Sequence, residues 1–221
     1  MAIYLKKFEN HTQYENYING SGAILPNVSI CTTEGDVHYN PYDPYNGHDY
    51  VDLGLPSGTK WATMNIGVSS ETDYGNYYQY GKGAEQYAVT SGDSDYSGTE
   101  NPLAASADTA VQVWGGQWHM PTQTQFMELT ANTTYEWVTD FNDSGINGYK
   151  FTSKTDSTKY AFFPAGGNLY YGSNPNLGIS GGYWSSTPTN GNAYCLYFNS
   201  SNKSVSGNLR DSGISVRGVV G

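Results

Sequence analysis

The chain has 221 residues and a formal net charge of −10, and its only arginines are Arg210 and Arg217. This length can bury a core without disulfides or metals, and the lack of a basic stripe argues against binding to nucleic acid or to anionic membrane lipids. The 27 Gly and 21 Tyr, with only 14% charged residues, favour a β-rich, loop-rich domain with a largely uncharged surface.

The first 45 residues differ in composition from the rest of the chain. Short strands are predicted around residues 3–8 and 28–32, and the second leads into a connection rich in Pro, Asn, Tyr and Asp. We interpret residues 1–45 as an attachment segment with a linker, and residues 46–221 as one domain. The start of the chain lacks the apolar stretch of a signal peptide, and no run approaches about 18 apolar residues. We therefore expect cytoplasmic synthesis and no membrane insertion.

The domain opens with a predicted hairpin and two predicted helices. Residues 50–53 and 59–66 read as strands around a Pro-Ser-Gly turn. A helix is predicted at residues 70–80, and residues 83–113 read as a polar insertion without periodicity. Thr122 is then expected to cap a helix whose Phe126, Met127 and Leu129 face the core.

From residue 148 onward the sequence predicts strands separated by turns of Gly, Asn and Ser. The strand segments are GYKFTSK, KYAFFPAGG, GYWSST, AYCLYFNS and GISVRGVV. Alternation assigns five side chains to the core, namely Trp184, Leu196, Phe198, Ile214 and Val216.

Reactive side chains are few and scattered. Cys31 and Cys195 lie far apart, and buried free thiols are the preferred interpretation over a disulfide. The four histidines are dispersed, and no Ser, His and acid set stands in a motif. We therefore predict a protein that is not an enzyme and that needs no cofactor and no metal ion.

The ordered motifs carry a family resemblance. YVDLGLPSGTKWATMNIG, YGNYYQYGKG, WHMPTQTQFMEL, FFPAGG, GGYWSSTP, AYCLYFNS and GISVRGVV follow one another along residues 48–221. This order resembles bacterial and phage proteins with a C-type-lectin-like fold, in particular the variable proteins of diversity-generating retroelements and, more distantly, formylglycine-generating enzymes. The resemblance implies an α+β fold with two helices packed on twisted antiparallel sheets and with long loops. Residues 1–45 resemble the fixed amino-terminal part of phage structural proteins.

The family resemblance also frames the enzyme and metal alternatives. A formylglycine-generating enzyme would need a pair of copper-binding cysteines near the end of the fold, where only Cys195 stands. The Glu-Pro-Asn and Trp-Asn-Asp triplets of calcium-dependent lectins are absent, and Asn174-Pro175-Asn176 is only weakly similar to the first of them. We therefore expect no enzyme activity and no metal ion, although the fold resembles families that include enzymes and calcium-dependent lectins.

The composition of residues 161–221 fits the diversification that the resemblance implies. Retroelements of this kind substitute at template adenines, so an Asn codon AAY can become any NNY codon, and such codons never encode Glu, Gln, Met, Lys or Trp. Residues 161–221 contain no Glu, Gln or Met, one Lys at Lys203 and one Trp at Trp184. A Tyr, Ser, Asn and Gly-rich β region could exclude long polar side chains without any retroelement, which is the alternative explanation.

The resemblance implies that loops and strand ends of the variable region form one exposed binding face. Tyr offers large contact area at low entropy cost, and Ser, Gly and Asn offer adaptable hydrogen bonds. The candidate face residues are Asn168, Leu169, Tyr170, Tyr171, Ser173, Asn174, Asn176, Leu177, Thr187, Thr189, Asn190, Asn192, Tyr194, Asn208, Arg210 and Asp211.

The resemblance, together with the residue types of this face, implies a phage receptor-binding protein of the tail tip or fibre. The expected partners are a bacterial surface protein or glycan, other phage tail proteins through residues 1–45, and further copies of the chain, for example in a trimer. The expected location is the virion. The alternative function is a lectin-like adhesin of fixed specificity, or a structural module, without diversification.

Overall fold

Two α-helices and three small antiparallel sheets form the part of the chain that the computed structural model describes, residues 45–87 and 96–221. The architecture is α+β, as predicted. The chain divides into two units between His48 and Asp49, and nearly all described residues belong to the second unit, Asp49–Gly221. The predicted strands in the attachment segment lie outside the described residues.

The first sheet joins the two ends of this second unit. Its order is β1-β2-β9, with antiparallel pairing throughout. Its strands are β1 Tyr50–Val51, β2 Lys60–Ala62 and β9 Val219–Val220. The predicted hairpin is present with shorter strands, and Gly58, at φ +77°, closes its turn by donating its N–H to the Leu55 carbonyl.

The two helices are both capped by side chains. Asp108 accepts hydrogen bonds from the first turn of α1 Thr109–Val113, which lies inside the segment predicted to lack periodicity. Thr122 and Gln125 form a reciprocal capping box at the start of α2 Gln123–Asn132. The prediction for α2 is confirmed for its cap and for Phe126 and Leu129, which are buried.

Met127 corrects the prediction for the inner face of α2, because its side chain is 53% exposed. One residue along a helix rotates the side-chain direction by about 100°, so Met127 cannot share the face of its buried neighbour Phe126.

The helix predicted at residues 70–80 is wrong. Gly75 adopts φ +81°, and several backbone N–H groups in the second half of this stretch bond to carbonyls outside it and not to a helical turn. Tyr78 donates to the Ile214 carbonyl and Tyr80 donates to the Arg210 carbonyl. Tertiary pairing with the carboxy-terminal segment therefore overrides the local capping pattern.

The second and third sheets are antiparallel and sequential, with orders β3-β4-β5 and β6-β7-β8. The second sheet contains β3 Thr133–Val138, β4 Gly148–Ser153 and β5 Tyr160–Pro164, with a 3₁₀ turn at Phe141–Asp143. The third sheet contains β6 Ser180–Thr189, β7 Asn192–Asn199 and β8 Asn202–Leu209.

Two features of the carboxy-terminal region differ from the sequence prediction. Strand β8 was not predicted, because NKSVSGNL has no apolar alternation, yet it pairs with β7 along its whole length as an edge strand. The predicted strand GISVRGVV is regular only at Val219–Val220 and is elsewhere held by isolated bridges from Gly213, Ile214 and Ser215.

Aromatic side chains from the sheets and α2 form the core. The Trp61 ring lies 5.3 Å from Phe126 and 5.7 Å from Phe163 between ring centroids. Phe163 in turn packs edge-on against Tyr183 of the third sheet. The five residues assigned to the core by alternation are all fully buried, which confirms that part of the prediction.

Arg217 is a fully buried cation within this structure. Its guanidinium donates to the Ala62 carbonyl at 2.9 Å, to Asn65 Oδ1 at 2.8 Å and to the Phe162 carbonyl at 2.8 Å. Burial lowers the pKa of Arg217 to about 10, so the group stays protonated at neutral pH. Arg217 thus links the first sheet to the second through hydrogen bonds to neutral oxygens.

We predict that Leu129→Ala lowers the free energy of unfolding by about 2–5 kcal/mol, because it leaves a cavity beneath α2. Met127→Ala, two positions away on the same helix, should change it by less than about 0.5 kcal/mol, since this side chain lies mostly in solvent. Urea unfolding of both variants measures the difference. Equal losses for the two variants would contradict the packing described for α2.

Candidate ligand-binding face

Exposed large apolar side chains are concentrated in one part of the chain. The described residues include ten of them, and six fall between residues 170 and 209. These six are Tyr170, Tyr171, Leu177, Ile179, Tyr197 and Leu209, with exposed fractions from 37% to 60%. Ile179, Tyr197 and Leu209 were missed by the sequence reasoning, although alternation against the buried Leu196 and Phe198 could have identified Tyr197. We call these six side chains the apolar patch.

The loop of residues 166–179 is held by hydrogen bonds of its own asparagine side chains and carries four of the six side chains of the apolar patch. Asn174 Oδ1 accepts the Asn168 backbone N–H at 3.1 Å, and Asn174 Nδ2 donates to the Gly166 carbonyl at 3.0 Å and to the Tyr77 hydroxyl at 3.2 Å. Asn176 Nδ2 donates to Asn168 Oδ1 at 3.0 Å. These three predicted face residues therefore hold the loop in shape, and their amides are largely engaged within the protein.

Tyr170 and Tyr171 stand at the tip of this loop in a tight turn. Tyr170 and Ser173 exchange backbone hydrogen bonds of 3.0 Å in both directions, and the two tyrosine rings meet edge-on at 4.5 Å. Tyr171 has φ 45°, a left-handed conformation that is uncommon for a side chain of its size. The Tyr171 N–H donates to the Tyr87 hydroxyl at 3.0 Å. The turn is thus fixed by specific contacts and presents a ring that is 59% exposed.

A narrow cleft of about 170 Å³ separates this loop from the third sheet. It is lined by Gly167, Asn168, Gly182, Cys195, Tyr197, Ser206, Gly207, Asn208 and Ile214. The Cys195 thiol lies almost fully buried there, and burial raises its pKa to about 12. Cys195 is a free thiol, as predicted, whereas Cys31 lies outside the described residues.

A wider cleft of about 600 Å³ lies beside the β6–β7 turn. It is lined by Tyr96, Ser97, Thr99, Pro188, Thr189, Asn190, Gly191 and Arg210. The Arg210 side chain is only 8% exposed. It donates from Nε to the Asn192 carbonyl at 3.0 Å and from Nη1 to the carbonyls of Tyr96 at 3.1 Å and Gly98 at 2.9 Å. Arg210 therefore joins the start of β7 to the backbone at Tyr96 and Gly98.

The sixteen candidate face residues fall into three classes of exposure. The exposed ones are Tyr170, Tyr171, Ser173, Leu177 and Asn190. The partly buried ones are Asn168, Leu169, Asn174, Asn176, Thr189, Asn192, Tyr194, Asn208 and Asp211. The buried ones are Thr187 and Arg210.

Thr187 and Asp211 each have a contact that the sequence did not reveal. Thr187 Oγ1 accepts the backbone N–H of Gln123 at 3.0 Å, so Thr187 supports the start of α2 from inside the protein. The Asp211 carbonyl accepts from Gln79 Nε2 at 3.1 Å, and within the described part of the chain its buried carboxylate Oδ1 has no hydrogen-bond partner.

Asp108 is a buried carboxylate with several backbone hydrogen bonds. Asp108, whose pKa is raised by burial, accepts backbone N–H groups of Ala110, Val111 and Met120, which fixes the carboxylate in place. Among residues 45–87 and 96–221, no group of three or more His, Cys, Asp or Glu side chains is placed to hold a metal ion. In the same residues, no helix is long and apolar enough to cross a membrane.

Comparisons of this chain with protein-family models, with curated proteins and with solved structures find no match. The function of the face is therefore inferred from its own geometry and from the sequence motifs.

We predict a pH-dependent loss of stability from Cys195. The folded state keeps the thiol proton up to about pH 12, whereas the unfolded thiol ionises near its ordinary pKa of 9.0. The stabilisation is complete below pH 9 and decreases as the pH rises from 9 towards 12, because the unfolded state then binds fewer protons than the folded state. At pH 10 the loss attributable to Cys195 should be on the order of 1 kcal/mol.

The measurement compares urea unfolding of the Cys31→Ser protein with that of the Cys31→Ser, Cys195→Ala protein at pH 8 and at pH 10. The difference between the two proteins should change with pH by the amount given above. A difference that does not change with pH would show that Cys195 is not protected in the folded state.

Proposed function

We propose that this chain is a phage receptor-binding protein that presents a C-type-lectin-like binding face to a bacterial surface ligand. The observation that carries the proposal is the apolar patch, which holds six of the ten exposed large apolar side chains of the described residues. Four of the six stand in one loop, residues 170–179, and exposed apolar side chains that are grouped in this way often mark interaction sites. The residue types of the patch and its loop, Tyr with Asn and Ser, are those that antibody paratopes use.

The scaffold below the patch supports recognition by a fixed surface. Tyr183, Trp184, Leu196 and Phe198 are fully buried directly beneath or beside the exposed positions of the third sheet. Such packing keeps the sheet rigid while exposed neighbours can be exchanged at low cost in stability. A preorganised face loses less entropy on binding, which favours affinity from modest contact area.

Three features of the fold support the C-type-lectin-like part of the proposal. The first sheet pairs strands from the beginning and the end of Asp49–Gly221, the described helices are few and short, and long irregular segments lie between the sheets. These agree with the architecture that the sequence motifs imply. The attachment of residues 1–45 to other tail proteins and a trimeric assembly are further parts of the same proposal.

Within residues 161–221, only Trp184 and Lys203 are of types that NNY codons do not encode, and the positions of these two residues support diversification by a retroelement. Trp184 is fully buried and donates from Nε1 to the Tyr78 carbonyl, so it belongs to the scaffold. Lys203 places its ammonium 3.8 Å from the Tyr135 ring centroid, towards the second sheet. Every side chain of the apolar patch is of a type that an NNY codon encodes. The alternative, a module of fixed specificity, would share the fold without this restriction.

We predict that Tyr171→Asn weakens binding of the full chain to a susceptible bacterial strain by tenfold or more, as loss of a central aromatic contact does in other interfaces. Asn tolerates the positive φ at this position, so the melting temperature should be preserved. The measurement is flow cytometry of labelled protein on a panel of bacterial isolates, with affinity determined on the strain that binds.

Tyr135→Asn is the matched control, because Tyr135 is also about half exposed but lies on β3, outside the apolar patch. Its binding should equal that of the unmodified chain. Equal binding by the Tyr171→Asn variant would contradict the location of the face, and binding to no isolate in a broad panel would count against the receptor-binding function.

Diversification by a retroelement requires a template copy of the variable region in the same genome. A near-copy of the region encoding residues 161–221 should lie beside a reverse-transcriptase gene, and sequences from many particles should differ only where that copy has adenine. Sequencing of the surrounding genome and of the particle population measures both. An invariant gene without such a copy would leave the fixed-specificity module as the better proposal.

A further inference from the structure

The wider cleft beside the β6–β7 turn contains a cation whose hydrogen-bonding capacity is only partly used. Arg210 donates from Nε and Nη1 to three backbone carbonyls. Its Nη2 forms no hydrogen bond to any residue that the structure describes. Arg210 is 92% buried and lines the cleft, so the remaining N–H donors can be satisfied by a molecule in that cleft.

Arg217 provides an internal comparison. Both guanidinium groups are buried, but Arg217 donates from all three nitrogen atoms to protein oxygens. The fold itself therefore supplies a hydrogen-bond acceptor for each nitrogen of the Arg217 guanidinium. Arg210 differs because its third nitrogen has no acceptor among the described residues and is not a buried unpaired atom, so this nitrogen is accessible to a molecule in the cleft.

The charge of Arg210 also lacks an anionic partner. Within residues 45–87 and 96–221, no carboxylate oxygen lies within 4.0 Å of its guanidinium nitrogens. Glu100 instead accepts a hydrogen bond from the Tyr96 hydroxyl at 3.3 Å. The guanidinium instead contacts carbonyl dipoles and the rings of Tyr80 and Tyr96, whose centroids lie 5.1 Å and 5.8 Å away. A buried cation of this kind favours an anionic ligand group, most of all a planar carboxylate that accepts two hydrogen bonds.

The rest of the cleft favours a ligand rich in hydroxyl groups. Its side chains include the hydroxyls of Ser97, Thr99 and Thr189 and the amide of Asn190. Such groups exchange hydrogen bonds with sugar hydroxyls, and the Tyr96 ring adds an aromatic edge. The volume of about 600 Å³ lies in the range of small-molecule sites.

We infer that the cleft around Arg210 binds a saccharide that carries a carboxylate, with Arg210 on the carboxylate and Thr189 and Asn190 on neighbouring hydroxyls. This inference deepens the proposed function, on which it rests, by assigning an acidic glycan as the class of receptor. The chain has a net charge of −10, so general attraction of polyanions is not expected and recognition must be local.

The test is calorimetric titration of the full chain with sialyllactose and with trigalacturonate, each compared with its methyl ester. At least one acid should bind about 10- to 100-fold more tightly than its ester, as a charge-assisted bidentate contact requires. Equal affinity for acid and ester, or no binding of either acid at millimolar concentration, would overturn the inference.

Two variants locate the site. Arg210→Gln removes the charge and should abolish the preference for acid over ester. Because Arg210 also holds three carbonyls, this variant can fail to fold, so Thr189→Val is used beside it. Thr189→Val keeps the charge and the shape, and it should weaken binding of the acid several-fold without changing the melting temperature. Thr152→Val, on β4 of the second sheet, is the matched control and should bind like the unmodified chain. Equal weakening by Thr189→Val and Thr152→Val would overturn the location.

An acidic peptide is the competing ligand class. If the amidated tripeptide Gly-Glu-Gly binds more tightly than Gly-Gln-Gly while neither acidic saccharide binds, the saccharide class is wrong. Binding of the chain to bacterial cells is scored separately. A chain that binds cells but neither acid would refute this inference alone and leave the proposed function in place.

Discussion

The buried guanidinium of Arg217 is the interaction on which the domain depends. It donates to the first sheet at Ala62, to the second sheet at Phe162 and to Asn65. Asn65 continues the chain of hydrogen bonds by donating to the Tyr183 hydroxyl, which donates to the Pro164 carbonyl. A buried charge with neutral partners is tolerated only when its geometry is complete, so this network fixes how the three sheets meet.

The rigidity that follows from this network explains why a face rich in loops can be well defined. Tyr183 carries the network into the third sheet, whose inner side packs in the aromatic core. On the outer side, the loop that begins at Gly166 is held by the amides of Asn174 and Asn176. The loop is therefore already ordered in the folded protein, so binding would cost little further conformational entropy. The exposed rings of Tyr170 and Tyr171 are free to make contacts.

The two arginines show how one side-chain type serves two purposes in a chain with little charge. All three guanidinium nitrogens of Arg217 donate to protein oxygens in the interior. Arg210 donates to protein oxygens from only two of its nitrogens and lines a polar cleft. The apolar patch and this cleft differ in chemistry.

The amino-acid sequence by itself determined the capped helix that begins after Thr122 and the buried positions Trp184 and Phe198, because periodicity and capping are local properties. The α+β class came from the resemblance that the ordered motifs carry. It also pointed to the region of exposed tyrosines. Only the tertiary structure decided that residues 70–80 are not helical and that Thr187 and Arg210 are buried. The reason is that these outcomes depend on hydrogen bonds between residues more than 50 positions apart, which no local pattern records.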